Sequence, residues 1–169
     1  MGSTRPTSGQ QRVNARRAAA NDLETLESGE PRPELELARK RFDEQEQGTG
    51  IFAVVEVEGV IVGSGFLDFV DEELTPELKN LWVHEKARRQ GAGRLLWRWL
   101  EARAQEAGYS QVYLAVDPNN EKAIPLFLNL GYSPTGHHLF MEDPDEHQVT
   151  DPSQVSSHYA IFRKSLLAG

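Results

Sequence analysis

The chain has 169 residues and a formal charge of −8, from 26 acidic and 18 basic residues. This length fits one domain with a proper core, and an apolar content of 38% is typical of a soluble globular protein. The excess of acidic residues argues against nucleic acid as the main partner. The absence of cysteine excludes a disulfide framework and suits the cytoplasm, where we expect the protein; no apolar run is long enough for a membrane span.

The N-terminus differs in composition from the rest of the chain. Residues 1–12 are rich in Ser, Thr, Gly, Pro and Gln, and such a segment has too little apolar surface to fold. We therefore expect residues 1–12 to be a disordered tail and residues 13–169 to form a single domain.

Hydrophobic periodicity predicts two helices, three strands, a helix, a strand, a helix and two further strands. The strands that flank a crossover helix should run parallel, so the fold class is α/β with a mixed sheet. The predicted elements in chain order are helices over 21–26 and 31–47, strands over 51–57, 60–69 and 77–83, a helix over 91–107, a strand over 111–116, a short helix ended by Gly131, and strands over 136–141 and 158–166.

The stretch "ARRQGAGRLL" at 87–96 follows a predicted strand and begins a predicted helix. A helix N-terminus offers unpaired N–H donors and the positive end of the helix dipole. Gly91 and Gly93 would let a bulky anion approach the main chain closely, which indicates a phosphate or pyrophosphate site. A dinucleotide fingerprint would need a small residue at 96, where leucine stands, and no Gly-Lys-Ser/Thr ending of a P-loop is present.

Two motifs resemble those of the GNAT superfamily of N-acetyltransferases. Arg88-x-x-Gly91-x-Gly93, after the strand residues "LWV", is similar to the acetyl-CoA signature Q/R-x-x-G-x-G/A. "NEKAIPLFLNLGY" resembles the family's later helix, N-x-x-A-x-x-L-Y-x-x-x-G-F. The resemblance covers residues 51–132. It implies the GNAT fold, a mixed twisted sheet of about six to seven strands with helices on both faces and splayed fourth and fifth strands, with acetyl-CoA as co-substrate.

The resemblance also implies where the cofactor binds. The pantetheine arm would lie between the splayed strands, and N–H groups from Arg89 to Arg94 would hold the pyrophosphate. Asn120 would contact the CoA arm, although asparagine is also a good helix cap. The implied cofactor-binding residues are Leu81, Trp82, Val83, Arg88, Arg89, Gln90, Gly91, Ala92, Gly93, Arg94, Asn120 and Phe127.

The chemistry implied is direct attack of a neutral amine on the thioester, with a base to remove the proton. Glu77 falls where several family members carry a glutamate base, but it could equally be an exposed carboxylate at a strand end. His84 is the alternative base, since its ordinary pKa is closer to neutral. Phe127 replaces the tyrosine that often protonates the leaving thiolate. The thiolate could leave unaided, Tyr132 or Tyr159 could substitute, or the domain could be catalytically weak.

The sequence leaves the acceptor amine open. Acidic stretches before the fourth strand and in the last loop would attract a cationic acceptor, although such runs are commonly solvated surface. A catalytically silent CoA-binding regulatory module is the main alternative, and an acetyltransferase acting on charged tRNA is disfavoured by the acidic surface. No spacing of the histidines resembles a metal-ligand set, so we expect no metal. The protein should be a monomer or homodimer.

Overall fold

The computed structural model describes residues 12–30, 33–71, 73–85, 87, 91–118, 121, 123–140 and 158–167. Residues 1–11 of the predicted tail (residues 1–12) lie outside these ranges. The last residue of the tail, Arg12, is hydrogen-bonded to the turn of a hairpin, because its backbone N–H donates to Glu58 Oε1 at 2.9 Å and its carbonyl accepts from the backbone N–H of Glu58 at 2.8 Å.

A seven-stranded mixed sheet forms the centre of the protein, which confirms the predicted α/β class. The strand order is β1-β2-β3-β4-β5-β7-β6, and the β4–β5 pair is parallel while the other pairs are antiparallel. The strands are β1 (Val13–Arg17), β2 (Gly50–Val57), β3 (Val60–Asp68), β4 (Glu77–Val83), β5 (Gln111–Val116), β6 (Ser133–Phe140) and β7 (His158–Ser165). Strand β1 was not predicted, because it is short and directly follows a polar stretch.

In the part of the chain that the structure describes, four α-helices cover the two faces of the sheet. They are α1 (Leu23–Ser28), α2 (Leu37–Glu46), α3 (Ala92–Glu106) and α4 (Ala123–Asn129). The prediction placed the start of the second helix at residue 31, which is too early, since Glu36 has a left-handed backbone (φ 48°) and α2 begins after it. The predicted start of the sixth strand at 136 is three residues late, because β6 begins at Ser133.

The two faces of the sheet carry separate apolar clusters. Leu67 and Leu78 belong to the larger cluster, which includes Leu96 and Leu100 of α3, so we call this side the α3 face. Phe66 belongs to a second cluster with residues of α1 and α2, on what we call the α2 face. Successive residues of one strand thus enter different clusters, as the pleat of a strand requires.

A β-bulge interrupts β4 and changes this alternation. Lys79 pairs with Phe66 and Trp82 pairs with Ser64, so two residues of β4 oppose the single residue Gly65. A Cβ atom at Gly65 would lie 2.3 Å from Leu81 Cδ2, and glycine therefore gives that side chain its place on the α3 face. The extra residue brings Trp82 to the α2 face, where strict alternation would have turned it away.

Asn80 provides the backbone conformation of the bulge. Its φ is 53°, in the left-handed region that asparagine tolerates better than most residues. Arg41 of α2 is 2% exposed and donates from Nε to Asn80 Oδ1 at 2.9 Å. The Arg41 guanidinium also pairs with Glu44 at 2.7 Å and lies over the ring of Phe66, 4.9 Å from its centroid. A buried arginine of α2 therefore holds the bulge of β4.

An ionic network joins β1 to the α2 face. The two terminal nitrogens of the Arg16 guanidinium donate to the Asp22 carboxylate, at 2.7 and 3.0 Å, and Nη2 also donates to Glu56 Oε2 at 3.2 Å. The hydrogen bonds from Arg16 lower the pKa of Asp22, although burial partly opposes them, and the N–H of Ala19 adds a further bond at 2.7 Å. Arg16 likewise lowers the pKa of Glu56. These carboxylates stabilise the fold when they are ionised.

The network predicts a pH-dependent contribution to stability. A carboxylate whose pKa is lowered by folding stabilises the protein at pH values above its ordinary pKa, which is 3.8 for Asp22. This stabilisation is lost as the pH falls through the lowered pKa of the folded state. We expect Asp22→Asn to reduce the free energy of unfolding by about 1–2 kcal/mol at pH 7. Urea titrations from pH 7 to pH 3 should show the difference from the parent protein shrinking below about pH 4.

Glu24, an exposed carboxylate in the first turn of α1, provides the matched control. Glu24→Gln should change stability by less than about 0.5 kcal/mol across the same range. A difference for Asp22→Asn that stayed constant from pH 7 to pH 3 would contradict the electrostatic account.

The bulge predicts a second stability effect, at Asn80. Asn80→Val removes the acceptor of Arg41 Nε and places a β-branched residue at positive φ, and should cost about 2–4 kcal/mol of unfolding free energy. Asn80→Asp keeps both the acceptor and the tolerance of that φ, and should cost less than about 1 kcal/mol. Equal losses for the two variants, measured by urea unfolding, would argue against this role of Asn80.

Candidate functional site

The opening between β4 and β5 is the first feature of the candidate site. These strands pair at two positions, Glu77 with Tyr113 and Leu78 with Leu114. Strand β4 then continues to Val83 and β5 to Val116, so their later residues lie on either side of a gap. The predicted splay of the fourth and fifth strands is confirmed. Leu81 and Val83, two of the predicted cofactor-binding residues, are partly buried beside this gap and contact the α3-face cluster.

The N-terminus of α3 lies next to the end of β4. Gly91 is the N-cap residue, with φ 80°, and as a glycine it has no side chain to accept a hydrogen bond from the first turn of the helix. The first N–H groups of an α-helix have no partner within the helix, so the start of α3 can offer them to an anion. A Cβ atom at Gly93 would lie 3.4 Å from Val83 Cγ2, so this end of the helix packs directly against the end of the strand.

Several predicted residues cannot be placed in this arrangement. Arg88, Arg89, Gln90 and Asn120 lie outside the described residues, and their roles stay predictions. Arg94 is described and is exposed in the first turn of α3, as a contribution to anion binding requires.

Glu77, the first of the two predicted catalytic residues, is fully buried. Its side chain is 0% exposed, so the alternative of an exposed carboxylate at a strand end is wrong. Its Oε1 lies 4.0 Å from the ammonium of Lys79, which also pairs with Asp68 at 2.7 Å and Asp71 at 3.7 Å. Glu77 and Lys79 face the α2 side of β4, since Lys79 pairs with Phe66. The ammonium of Lys79 therefore lies beside the buried carboxylate of Glu77 and stabilises its ionised form.

His84, the alternative base, differs from Glu77 in its surroundings. It is exposed just beyond β4, and its backbone N–H donates to the carbonyl of Val62 at 2.6 Å. Its side chain therefore lies in a more solvated environment than the buried carboxylate of Glu77.

The aromatic residues near α4 have well-defined packing. Phe127 is 4% exposed, and its ring packs against Trp97 with 5.3 Å between centroids. The hydroxyl of Tyr132 donates to Glu101 at 2.6 Å and accepts from Trp97 Nε1 at 3.1 Å. Burial, followed by the negative charge of Glu101, raises the pKa of Tyr132 well above its ordinary value. A hydroxyl held in this way is a poor proton donor for a leaving thiolate.

Tyr159, the second candidate substitute, lies on the other side of the sheet. It is 2% exposed and packs with Leu74, Ala115 and Ile161 in a third apolar cluster. Tyr113, the neighbour of Glu77 in the β4–β5 pair, contacts the same cluster. Tyr159 is therefore on the α2 face with Glu77, whereas Tyr132 is on the α3 face.

A cavity of about 240 Å³ lies on the α2 face, between helices α1 and α2 and the centre of the sheet. Its walls include Leu26, Leu37, Ala38 and Phe52, and Trp82 closes the side at β4. Trp82 retains 36% exposure there. The cavity and the gap between β4 and β5 thus lie on opposite sides of the same few residues of β4.

Sequence reasoning missed the residues that shape this cavity. Asn80 within a predicted strand was one available signal, since asparagine is depleted in strands and tolerates positive φ. Gly65 on the neighbouring strand was another, because an isolated strand glycine suggests a bulge. Arg41 was a third, because it lies one turn after Leu37 and Ala38, on the side of α2 that is buried, where a charged residue needs a partner. The cavity residue Glu30 carried no signal that we can identify.

Two features are absent from the described residues. No helix there is long and apolar enough to cross a membrane. Within the same residues, no three side chains among the histidines and carboxylates are grouped so that they could hold a metal ion.

Comparison with known proteins supplies the family. The sequence profile of the Acetyltransferase (GNAT) family matches residues 17–132. Mycothiol acetyltransferase of Jonesia denitrificans is 32% identical over 84 residues, which is 50% of this chain and 27% of that protein. The chain therefore spans about a quarter of that curated relative's length.

Solved structures with low sequence identity share the fold. The ribosomal-protein-S18-alanine N-acetyltransferase of Escherichia coli superposes with a TM-score of 0.69 at 21% identity, covering 94% of this chain and 97% of the other. A chimeric spermidine N-acetyltransferase of Vibrio cholerae has a TM-score of 0.68 at 18% identity, with 91% and 95% coverage. The profile match, the splayed strands and the glycine turn before α3 agree, and the chain belongs to the GNAT acetyltransferase family.

Proposed function

We propose that the protein is an N-acetyltransferase that transfers the acetyl group of acetyl-CoA to a primary amine. The observation that carries the proposal is the gap between β4 and β5 beside the N-terminus of α3, which begins directly after Gly91. A gap between strands suits an extended pantetheine arm, and outward N–H groups at a helix start suit a pyrophosphate. The main chain of residues 81–83 and of Gly91 to Arg94 would bind these two parts of the cofactor.

The reaction proposed is direct attack. The nitrogen of the neutral amine attacks the thioester carbonyl carbon, a C–N bond forms, the C–S bond breaks, and CoA leaves as its thiolate. Glu77 accepts the proton of the amine, directly or through one water. Its complete burial and its position on the α2 face support this role.

Departure of the thiolate needs no tyrosine in this proposal. Phe127 has no proton to donate, and the hydroxyl of Tyr132 is already committed to Glu101. A thiol with a pKa of about 8.5 is a tolerable leaving group at neutral pH. Tyr159, on the same face as Glu77, is the remaining candidate donor.

A catalytically silent CoA-binding module is the second candidate. The replacement of the family's tyrosine by Phe127 favours it, since a regulatory module would have no use for a general acid. The buried Glu77 favours the enzyme, because a fully buried carboxylate is expensive to keep without a role.

Gly93 provides a direct test of the cofactor site. The acetyl-CoA signature allows glycine or alanine there, and a Cβ atom would make an ordinary contact with Val83. Gly93→Ala should therefore fold and bind acetyl-CoA within about threefold of the parent protein. Gly93→Val should fold but bind at least about tenfold more weakly, because its larger side chain would stand between the strand end and the helix start.

Calorimetry with acetyl-CoA would measure both affinities, after thermal unfolding has shown that each variant is folded. Gln105→Val, an exposed position at the other end of α3, controls for the helix propensity of valine. Unchanged affinity in folded Gly93→Val would refute the pyrophosphate assignment. Gly91 is less suitable for this test, because its φ of 80° would strain any substitute.

Glu77→Gln tests the base. We expect kcat/KM for an accepted amine to fall by about 10²-fold or more, while the affinity for acetyl-CoA stays within about twofold. The fold should survive, because Lys79 keeps its 2.7 Å pair with Asp68. His84→Ala is the matched comparison and should stay within about threefold of the parent rate. Loss of activity in His84→Ala with full activity in Glu77→Gln would move the base to the histidine.

A further inference from the structure

The cavity on the α2 face is suited to an apolar group. Its volume is about 240 Å³, whereas a dry apolar cavity of about 150 Å³ is already large enough to bind benzene. The side chains of Leu26, Leu37, Phe52 and Trp82 give it aliphatic and aromatic walls. The space and its lining fit a compact aliphatic or aromatic group.

Charge around the cavity disfavours a polycation. Glu30 is the carboxylate in the lining, and the same wall contains the buried guanidinium of Arg41, which is paired with Glu44 at 2.7 Å. Glu30 Oε1 accepts the N–H of Ala38 at 2.6 Å, so this carboxylate is bound to the start of α2. Burial raises the pKa of Glu30 above its ordinary value.

Two of the acidic residues before β4 are already bound within the fold. Asp68 is 4% exposed and bonded to Lys79, and Asp71 lies 3.7 Å from the same ammonium. Asp71 Oδ1 also accepts the N–H groups of Glu73 and Leu74, both at 2.9 Å. These two carboxylates therefore shape the fold rather than form a cation-binding face. The acidic residues of the last loop lie outside the described residues.

We propose that the acceptor is a primary amine carrying one compact apolar group, aliphatic or aromatic, and that this group occupies the cavity between α1, α2 and Trp82. The proposal rests on the proposed transferase function for its chemistry. The bulge at Asn80 places Trp82 and Glu77 on the same face of β4, so an amine whose apolar group fills the cavity reaches the strand that carries the base. A polyamine such as spermidine is a poor fit to the same space.

Binding measurements test the proposal independently of turnover. The probes are 2-phenylethylamine, ethylamine and spermidine, titrated calorimetrically in the presence of saturating CoA. Burial of a phenyl group predicts that 2-phenylethylamine binds about tenfold to a hundredfold more tightly than ethylamine. Spermidine should bind at least about tenfold more weakly than 2-phenylethylamine. Spermidine binding as tightly as 2-phenylethylamine would overturn the proposal.

Variants of the cavity wall locate the binding site. Ala38→Leu fills part of the cavity and should weaken 2-phenylethylamine at least tenfold, with acetyl-CoA affinity unchanged. Ala107→Leu, at an exposed position after α3, should leave both affinities unchanged. If Ala38→Leu does not fold, Trp82→Ala removes a partly exposed wall and should also weaken 2-phenylethylamine at least fivefold. Unchanged binding of 2-phenylethylamine in a folded wall variant would overturn the proposal.

The same titrations separate this proposal from the proposed function. Tight binding of 2-phenylethylamine that is lost in the wall variants, with no CoA released from acetyl-CoA by any of the three amines, would uphold the cavity and refute the transferase.

Discussion

The hydrogen bond from Arg41 to Asn80 fixes the bulge on which both sides of the site depend. A strand without the bulge would turn Trp82 to the α3 face and leave the cavity open at β4. Glu77 and Trp82 are five positions apart and would face opposite sides of a regular strand, but with the bulge both face the α2 side. Leu81 packs on the opposite side. One left-handed residue thus gives a single strand two functional surfaces, a gap for a cofactor and a wall for an acceptor.

Among the described residues, two positively charged side chains are buried, and burying a charge costs free energy. Arg41 and Lys79 are 2% and 6% exposed, and each is paired with carboxylates on the α2 face. Well-packed apolar residues would stabilise most folds at least as well, so such groups are weak evidence for stability. Here each lies beside a residue of the candidate site: Arg41 beside the bulge, and Lys79 beside Glu77. Both buried cations therefore lie beside the residues of β4 that form the candidate site.

Sequence patterns located most of the fold because its elements are long and regular. The 15-residue helix α3 and the hairpin of β2 and β3 follow clear apolar periods, and the glycine turn before α3 carried the family signal. Strand β1 escaped detection because its five residues have two arginines and are held by pairing with β2 and by ion pairs. The bulge was not predicted, because the regular side-chain period of two expected of β4 leaves no place for an extra residue. The cavity could not be predicted, since it depends on how α1, α2 and the bulge meet in space.

A crystal structure of the protein with acetyl-CoA would test the account most directly. The account predicts the pantetheine arm between β4 and β5 along residues 81–83, the pyrophosphate within hydrogen-bonding distance of N–H groups from Gly91 to Arg94, and the cavity beside Trp82 still open on the α2 face. Acetyl-CoA bound away from this gap, or with its pantetheine arm filling that cavity, would contradict the two-sided arrangement of β4.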